Sequence, residues 1–348
     1  MDRDPTRDDR THLTEFGENR MVSRFRQLAN AAAPPGVLLG PGDDTAILRI
    51  PADRVALLTC DMMAEGVHFR LDWATPWQIG WKAMAQNVSD IAAMGGEPGY
   101  AVASVSLPGS APKQMADEIA QGLIAAASEY DAALVGGDLV GSTGPVTVDV
   151  SLLGWVEEAR ALRRSGAGPG DQILVTGALG ASGAGLSLLL LGLTAARDAD
   201  ETAALAAHFT PRARVKEGRA LAASGVVTAM MDLSDGLAAD LPRLCTESGV
   251  GARLYAAQVP IAPACAVVAP RVGAEALTLA LTGGEDYELL FTCPASAAAD
   301  LAAAVSAASG TRVTVIGEVV PGDGIIMVDA AGNERPLGQG FDHFRVGA

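Results

Sequence analysis

Cysteine is scarce in this chain and follows no pattern. Four cysteines stand among 348 residues, at Cys60, Cys245, Cys265 and Cys293, and no pair has the C-x-x-C spacing. That argues against a zinc ribbon, a thioredoxin-like redox site and a disulfide framework. It fits a reducing compartment, so a cytoplasmic location is expected. Positive charge is also short. Against 41 Asp and Glu there are 25 Lys and Arg, a formal charge of −16, with no basic run. Nucleic-acid binders draw most of their affinity from phosphate contacts, so no nucleic-acid partner is expected. The strongest apolar run, Leu186 to Leu193, falls far short of the about 20 residues a membrane-spanning helix needs. No membrane partner is expected either. Aromatic residues are only 4% of the chain. A P-loop, the H-R-D and D-F-G elements of protein kinases and an EF-hand loop are all missing from the sequence.

Hydrophobic residues make up 49%, carried by alanine, valine and leucine beside abundant glycine, enough for packed cores. The length favours two domains over one. The first ten residues are charged throughout and read as a mobile arm, taken as residues 1–12. Val146, Val148, Val150 and Leu152 alternate as a half-buried strand does. Shorter strands are expected at 55–59, 101–107, 132–135 and 173–175. Thr75-Pro76 supplies an N-cap and a proline at the first helical position, and Gly95-Gly96 a stop. Pro112 opens a second helix that ends near Tyr130. These elements give a mixed α+β first domain over 13–162. A turn-rich segment from Arg163 to Asp171 places the boundary to a second domain, 163–348. The Gly-rich turn from Gly177 to Gly185 lacks the G-x-G-x-x-G spacing and reads as tight strand-to-helix packing.

Acidic residues recur beside glycine, at the expected ends of apolar strands. The clusters are Gly40-Pro-Gly-Asp43-Asp44, Thr59-Cys60-Asp61, Gly136-Gly137-Asp138, Asp232-Leu-Ser234-Asp235-Gly236 and Gly283-Gly284-Glu285-Asp286-Tyr287. Asp90 adds a carboxylate on the polar side of the helix capped by Thr75. Any single cluster reads equally well as a turn or a cap. Together they would repel unless a cation neutralised them. Oxygen donors without a His/Cys set favour Mg²⁺, which keeps waters and takes a few carboxylates with substrate phosphates. The expectation is a nucleotide polyphosphate held through several metal ions, in one pocket that gathers acids from distant parts of the chain.

These motifs, in this order, resemble the thiamine-monophosphate kinase family of the aminoimidazole-ribonucleotide-synthetase-like superfamily. The resemblance runs from about Gly40 to the C-terminus. It rests on Gly42-Asp-Asp-Thr-Ala-Ile-Leu48, Thr59-Cys-Asp61, Gly66-Val-His68-Phe69 and Asn87-Val-Ser-Asp-Ile-Ala-Ala-Met-Gly95. Further on it rests on Gly136-Gly-Asp138, Leu162-Arg-Arg-Ser-Gly-Ala167, Asp232-Leu-Ser-Asp-Gly236, Gly283-Gly-Glu-Asp-Tyr-Glu288 and Gly340-Phe-Asp-His-Phe344. The resemblance implies an N-terminal α+β domain that dimerises through its sheet and a C-terminal α/β domain. It implies that ATP and thiamine monophosphate are the partners and that thiamine diphosphate and ADP are the products.

By resemblance, Asp44, Thr59, Cys60, Asp61, Asp90, Asp138, Asp232 and Asp235 form the magnesium-binding set. Gly137, Asp138, Arg164 and Ser234 contact ATP, and His68, Glu285 and Phe341 contact the thiamine phosphate. No single side chain is assigned as catalytic; Asp61, Asp90 and Asp235 are the strongest candidates. The family commonly has a small hydroxyl residue where Cys60 stands and often tryptophan where Phe341 stands. Other ATP-using members of the superfamily are the nearest alternative. A non-catalytic protein that binds a nucleotide or divalent ions is the alternative from another class.

Overall fold

The computed structural model describes residues 18–338 except 33, 35 and 41–44, together with His12. Asp44, Phe341 and residues 1–11 of the charged arm lie outside the described residues. By internal contacts the chain forms two units. Of the described residues, the first holds those up to Val88 and Pro98–Trp155; the second holds Ser89–Glu97 and those from Val156 on.

The first unit opens with helix α1 (Glu18–Ala31) and a short antiparallel pair, β1 (Val37–Leu39) and β2 (Ile47–Leu48). Strand β3 (Val55–Ala64) leads to helix α2 (Pro76–Ala93), and β4 (Glu97–Pro108) leads to α3 (Lys113–Glu129). Strands β5 (Ala133–Ser142) and β6 (Thr147–Val156) complete a four-stranded sheet in the order β3-β6-β4-β5. Helix α2 begins where Thr75 predicts. Gln78 N–H donates to Thr75 Oγ1 at 3.2 Å and Thr75 N–H donates to Gln78 Oε1 at 2.9 Å, a reciprocal capping box. Ile79, Met84, Val88 and Ile91 line its buried side. Helices α2 and α3 touch backbone to backbone at Gly80 and Gly122, where a Cβ would overlap the Ile119 and Trp77 carbonyl oxygens.

Strand β6 follows the expected alternation, with Val148, Val150 and Leu152 wholly buried. Two of the acidic clusters lie inside strands instead of at their ends. Thr59–Asp61 falls within β3, which runs on to Ala64, and Gly136–Asp138 falls within β5. The glycines do not break β5 because parallel pairing with β4 continues through Val102↔Gly136, Ala103↔Gly137 and Ser104↔Asp138. A Cβ at Gly137 would overlap the Ala103 carbonyl oxygen, so glycine there serves close strand approach.

The second unit is a layered α/β fold. Its elements after β6 are β7 (Asp171–Thr176), α4 (Ala181–Leu190), α5 (Ala199–Phe209), α6 (Val215–Ser224), β8 (Ala229–Asp232) and α7 (Leu237–Ser248). They continue with β9 (Gly251–Tyr255), α8 (Pro263–Val272), α9 (Ala276–Thr282), β10 (Leu289–Pro294), α10 (Ala298–Ser309), β11 (Val313–Val320), β12 (Ile325–Val328) and β13 (Glu334–Pro336). Seven strands form one sheet in the order β13-β12-β9-β11-β7-β10-β8. Neighbours pair antiparallel except β12 with β9, which is parallel.

Both faces of this sheet are covered, and side-chain alternation sorts the core. Ile173, Val175, Met231 and Leu290 face a layer with Leu237, Leu241 and Leu244 of α7. Leu174, Met230, Leu289 and Phe291 face the other, with Leu221 of α6 and Leu301 and Val305 of α10. Such two-sided burial explains why the strands read as unbroken apolar runs. Gly180 and Gly183 sit where a Cβ would crowd Cys265 of α8, Ala280 of α9 and Gly283 just after α9, so the Gly-rich turn serves close packing against helices and not the strand-to-helix packing expected of it. Among the described residues no single helix is long and apolar enough to cross a membrane.

Candidate functional site

In the second unit the chain leaves the sheet at Asp232, the last residue of β8, with only 3% of its surface exposed. Ser89 Oγ donates to its Oδ2 at 2.6 Å. Burial pushes the Asp232 carboxyl up to about 7, and the nearby charge of Asp90 adds to the effect. Arg164 and the Ser89 hydrogen bond act in the opposite direction. Asp90 and Arg164 are thus each within electrostatic reach of Asp232. Arg164 is an exposed residue whose carbonyl accepts from Ser248 Oγ at 3.0 Å. The Ser234 carbonyl accepts from Glu285 N–H at 2.7 Å, which ties the loop after Asp232 to the loop before β10.

Asp235 has a protein partner of its own. Arg243 Nη1 lies 2.5 Å from Asp235 Oδ2 and 2.7 Å from Asp240 Oδ1. Asp240, which is fully buried, also accepts from Asp235 N–H at 3.0 Å, and burial raises its carboxyl to about 6. The three acids of the Glu-Asp-Tyr-Glu run go three ways. Glu285 Oε2 stands 3.3 Å from His208 Nδ1. Asp286 accepts from Gly180 N–H at 2.6 Å and Ser182 N–H at 3.2 Å, at the start of α4. Its carboxyl is the inward-facing part of a half-buried residue, and burial raises it to about 7 despite those donors. Glu288 takes a two-point contact from Arg214, at 2.5 and 2.7 Å, and the Thr176 hydroxyl at 2.6 Å. Arginines therefore balance Asp235 and Glu288, and backbone N–H groups meet Asp286, without a bound cation.

In the first unit, strand alternation decides direction. Thr59 and Asp61 share the half-buried side of β3 with buried Met63, whereas Cys60 projects from the exposed side with Leu58 and Met62. There Cys60 Sγ donates to Asp149 Oδ1 at 3.3 Å. The Cys60 side chain therefore does not join Thr59 and Asp61. Gly137 and Asp138 are exposed on β5. His68 sits in the turn after β3, and its Nδ1 accepts from Ala64 N–H at 3.1 Å, which puts its ring proton on Nε2. Buried Lys82 donates to the His68 carbonyl at 3.3 Å.

Among the described residues no group of three or more His, Cys, Asp or Glu is placed to hold a metal by itself. The donor set still fits Mg²⁺. Asp232 and Asp90 are hard oxygen donors in mutual repulsion, and this ion takes one or two carboxylates and completes its shell with water and phosphate. Sequence reasoning did not single out Ser89, Lys82, His208, Arg243 or Asp240. Ser89 lay in plain view, inside the Asn87-Val-Ser-Asp run. The others carry no local signal, because each meets its partner from elsewhere in the fold or one or more turns along a helix.

Comparison with known proteins places both halves of the chain in one family. Residues 42–156 match the family AIR synthase related protein, N-terminal domain, and residues 168–329 match its C-terminal domain. A thiamine-monophosphate kinase of Salmonella typhimurium is 36% identical over 278 residues, covering 80% of this chain and 83% of that protein. The crystal structure of thiamine-monophosphate kinase from Stenotrophomonas maltophilia is 34% identical, with a TM-score of 0.79 over 88% of this chain and 95% of that one. The structure of AaThiL complexed with AMPPCP and TMP is 32% identical, with a TM-score of 0.74 over 96% of this chain and 99% of that one. Across both matched domains and most of its length, this chain belongs to the thiamine-monophosphate kinase family.

Proposed function

We propose that the protein transfers the γ-phosphoryl group of ATP directly to the phosphate of thiamine monophosphate. A phosphate oxygen of the acceptor forms the new bond to the γ-phosphorus. The bond to the β,γ-bridging oxygen breaks, and ADP leaves with that electron pair. The acceptor oxygen is already ionised near neutral pH, so no strong general base is needed. Transfers of this kind depend on positioning and charge balance more than on covalent work by side chains. Family membership, together with the buried Asp232 carboxylate beside Asp90, carries the reading.

Asp90 and Asp232 would hold Mg²⁺ in the second unit; in the first, Asp61 and the Thr59 oxygen would hold it from β3, and Asp138, on β5 at the other edge of the sheet, would hold a separate ion, with Asp44 as a further ligand. The ions supply positive charge that lets two polyanions approach. Ser89 keeps the Asp232 carboxylate in one orientation. Arg164 would meet an ATP phosphate through its two-pronged guanidinium, and Ser234 and Gly137 would add polar contacts to the nucleotide. Asp235 would have to give up Arg243 to bind a cation, so we place it as an anchor of the loop. Cys60 can contribute only its main-chain oxygen on the Asp61 side. His68 Nε2–H would donate to the thiamine phosphate, with Glu285 and Phe341 as further substrate contacts.

The sheet of the first unit leaves Leu58, Met62, Val102 and Val140 exposed on β3, β4 and β5. That apolar face supports a homodimer joined through this sheet. A cytoplasmic enzyme is the reading that the cysteine usage supports. The deciding experiment mixes protein, ATP, Mg²⁺ and thiamine monophosphate and measures ADP and thiamine diphosphate, with unphosphorylated thiamine as control acceptor. Equal amounts of both products support the proposal. ATP binding without either product would assign the chain to non-catalytic nucleotide binders.

A further inference from the structure

His208 is 4% exposed and lies near the end of α5, far in sequence from every acidic motif. Its Nδ1 is 3.3 Å from Glu285 Oε2 and 3.2 Å from Ser182 Oγ. A carboxylate only accepts hydrogen bonds. With the proton on Nδ1, the ring faces two acceptors, Glu285 Oε2 and Ser182 Oγ. Ser182 steadies the ring from α4, and a Cβ at Gly185 would sit 3.0 Å from the His208 Cβ, so the histidine is gripped on its helix side as well. Phe209 meets the ring edge-on at 5.5 Å between centroids.

Glu285 needs such a grip. Its φ of 65° and that of Tyr287, 51°, lie in the left-handed region that non-glycine residues avoid. Backbone bonds from Glu285 N–H to Ser234 O (2.7 Å) and from Tyr287 N–H to Leu233 O (2.9 Å) hold the segment there. The backbone is thus fixed, but a glutamate has three further rotatable bonds. The neighbouring acids each have firm partners in Gly180, Ser182, Arg214 and Thr176. His208 does the corresponding work for Glu285, whose side chain remains 22% exposed.

We propose that His208 is a positioning residue for substrate recognition: its Nδ1–H holds the Glu285 carboxylate in the orientation that meets thiamine monophosphate. The proposal rests on Glu285 being a substrate contact. Four full-length variants separate the two ideas. His208→Leu fills the space without a donor, His208→Asn keeps an N–H at the Nδ1 position, and Glu285→Ala and the double variant Glu285→Ala/His208→Leu close the cycle.

The loss of a charge-assisted hydrogen bond should raise KM for thiamine monophosphate about tenfold in His208→Leu, leave KM for ATP unchanged, and raise it less than about threefold in His208→Asn. Within the Glu285→Ala background, His208→Leu should add nothing. An equal loss in His208→Asn and His208→Leu, or a further loss in the double variant, would overturn the proposal by showing a merely structural role. If Glu285→Ala impairs binding and His208→Leu does not, the positioning role alone falls. If Glu285→Ala changes nothing, the assignment of Glu285 falls and takes the proposal with it. Nitrogen-15 NMR of histidine-labelled protein tests the same contact without altering His208. The His208 ring should show a protonated Nδ1 whose signal moves in Glu285→Ala, and a bare Nδ1 in the parent protein would refute the idea.

Discussion

The acids of the first unit and those of the second are held in opposite ways. Asp61 and Asp138 ride inside strands, and the two-residue period of the strand decides which way they face. Asp232, Asp240 and Asp286 stand at strand ends and helix starts with their carboxyl groups turned inward. Burial raises all three, and each has fixed hydrogen-bond donors. The first arrangement keeps its carboxylates part-buried or exposed on the sheet, where an incoming cation can reach them. The second stores unfavourable charge inside the fold, which a cation at Asp232 would relieve. Function and stability should therefore be opposed at Asp232 and independent at Asp61.

The largest expected effect tests that opposition. Asp61→Asn, Asp90→Asn and Asp232→Asn should each lower turnover by on the order of 10²-fold or more, as removal of a preorganised charge interaction does. Asp61→Asn should leave the melting temperature near that of the parent. Asp232→Asn should raise it at pH 8. Melting curves at one pH, set beside initial rates, check both halves, and a destabilised Asp232→Asn would break the comparison.

A pH series sharpens the same point. The Asp232 carboxyl in the folded chain binds its proton up to about 7, against an ordinary value of 3.8. Between those values the folded state holds the proton more tightly than the unfolded state, so this group adds stability as pH falls from 7 towards 4 and loses it as pH rises. The advantage of Asp232→Asn over the parent should thus be greatest at pH 8 and fade by about pH 4–5. Mg²⁺ should raise the parent's melting temperature at pH 8 and raise that of the variant less. A constant gap across the series would show that Asp232 is not the titrating group.

The exposed side of the first unit's sheet gives a smaller, twofold effect. Leu58 is 76% exposed and Met62 56%, an unusual placement for large apolar residues in mid-strand. Leu58→Asp with Met62→Asp should halve the mass seen by light scattering at micromolar concentration. An unchanged dimer mass would move the interface elsewhere, and a parent that is already monomeric would remove it.

What could be read in advance follows from how local each signal is. Thr75-Pro76 and Pro112 announce helix starts, and Val148, Val150 and Leu152 announce a strand, because these depend on neighbours in the chain. Gly136-Gly137-Asp138 reads as a strand's end because glycine usually punctuates; in the structure, pairing with β4 continues through it after a bulge at Val135. The acidic clusters pointed to repulsion that demanded metal. The sequence could not show that Arg243 and Arg214 already balance Asp235 and Glu288. Those partners are set by tertiary contacts, like His208 for Glu285, and no spacing rule announces them.

The smallest effect expected lies at the start of α2, the helix that carries Ser89 and Asp90 near its other end. Thr75 and Gln78 satisfy each other's backbone donors there. Thr75→Ala removes one half of that exchange and should cost about 1 kcal/mol, the usual value for a lost N-cap. Thr75→Ser keeps the oxygen and should cost much less. If Asp90 depends on the second unit's packing rather than on the helix start, turnover at saturating substrate should stay within about twofold in both variants, since a cap acts only within its own turn. Urea titration supplies the stability change and an ADP assay the rate. A large loss of turnover in Thr75→Ala would mean that the helix moves as a rigid rod, and that the carboxylate at its far end is set from the first unit after all.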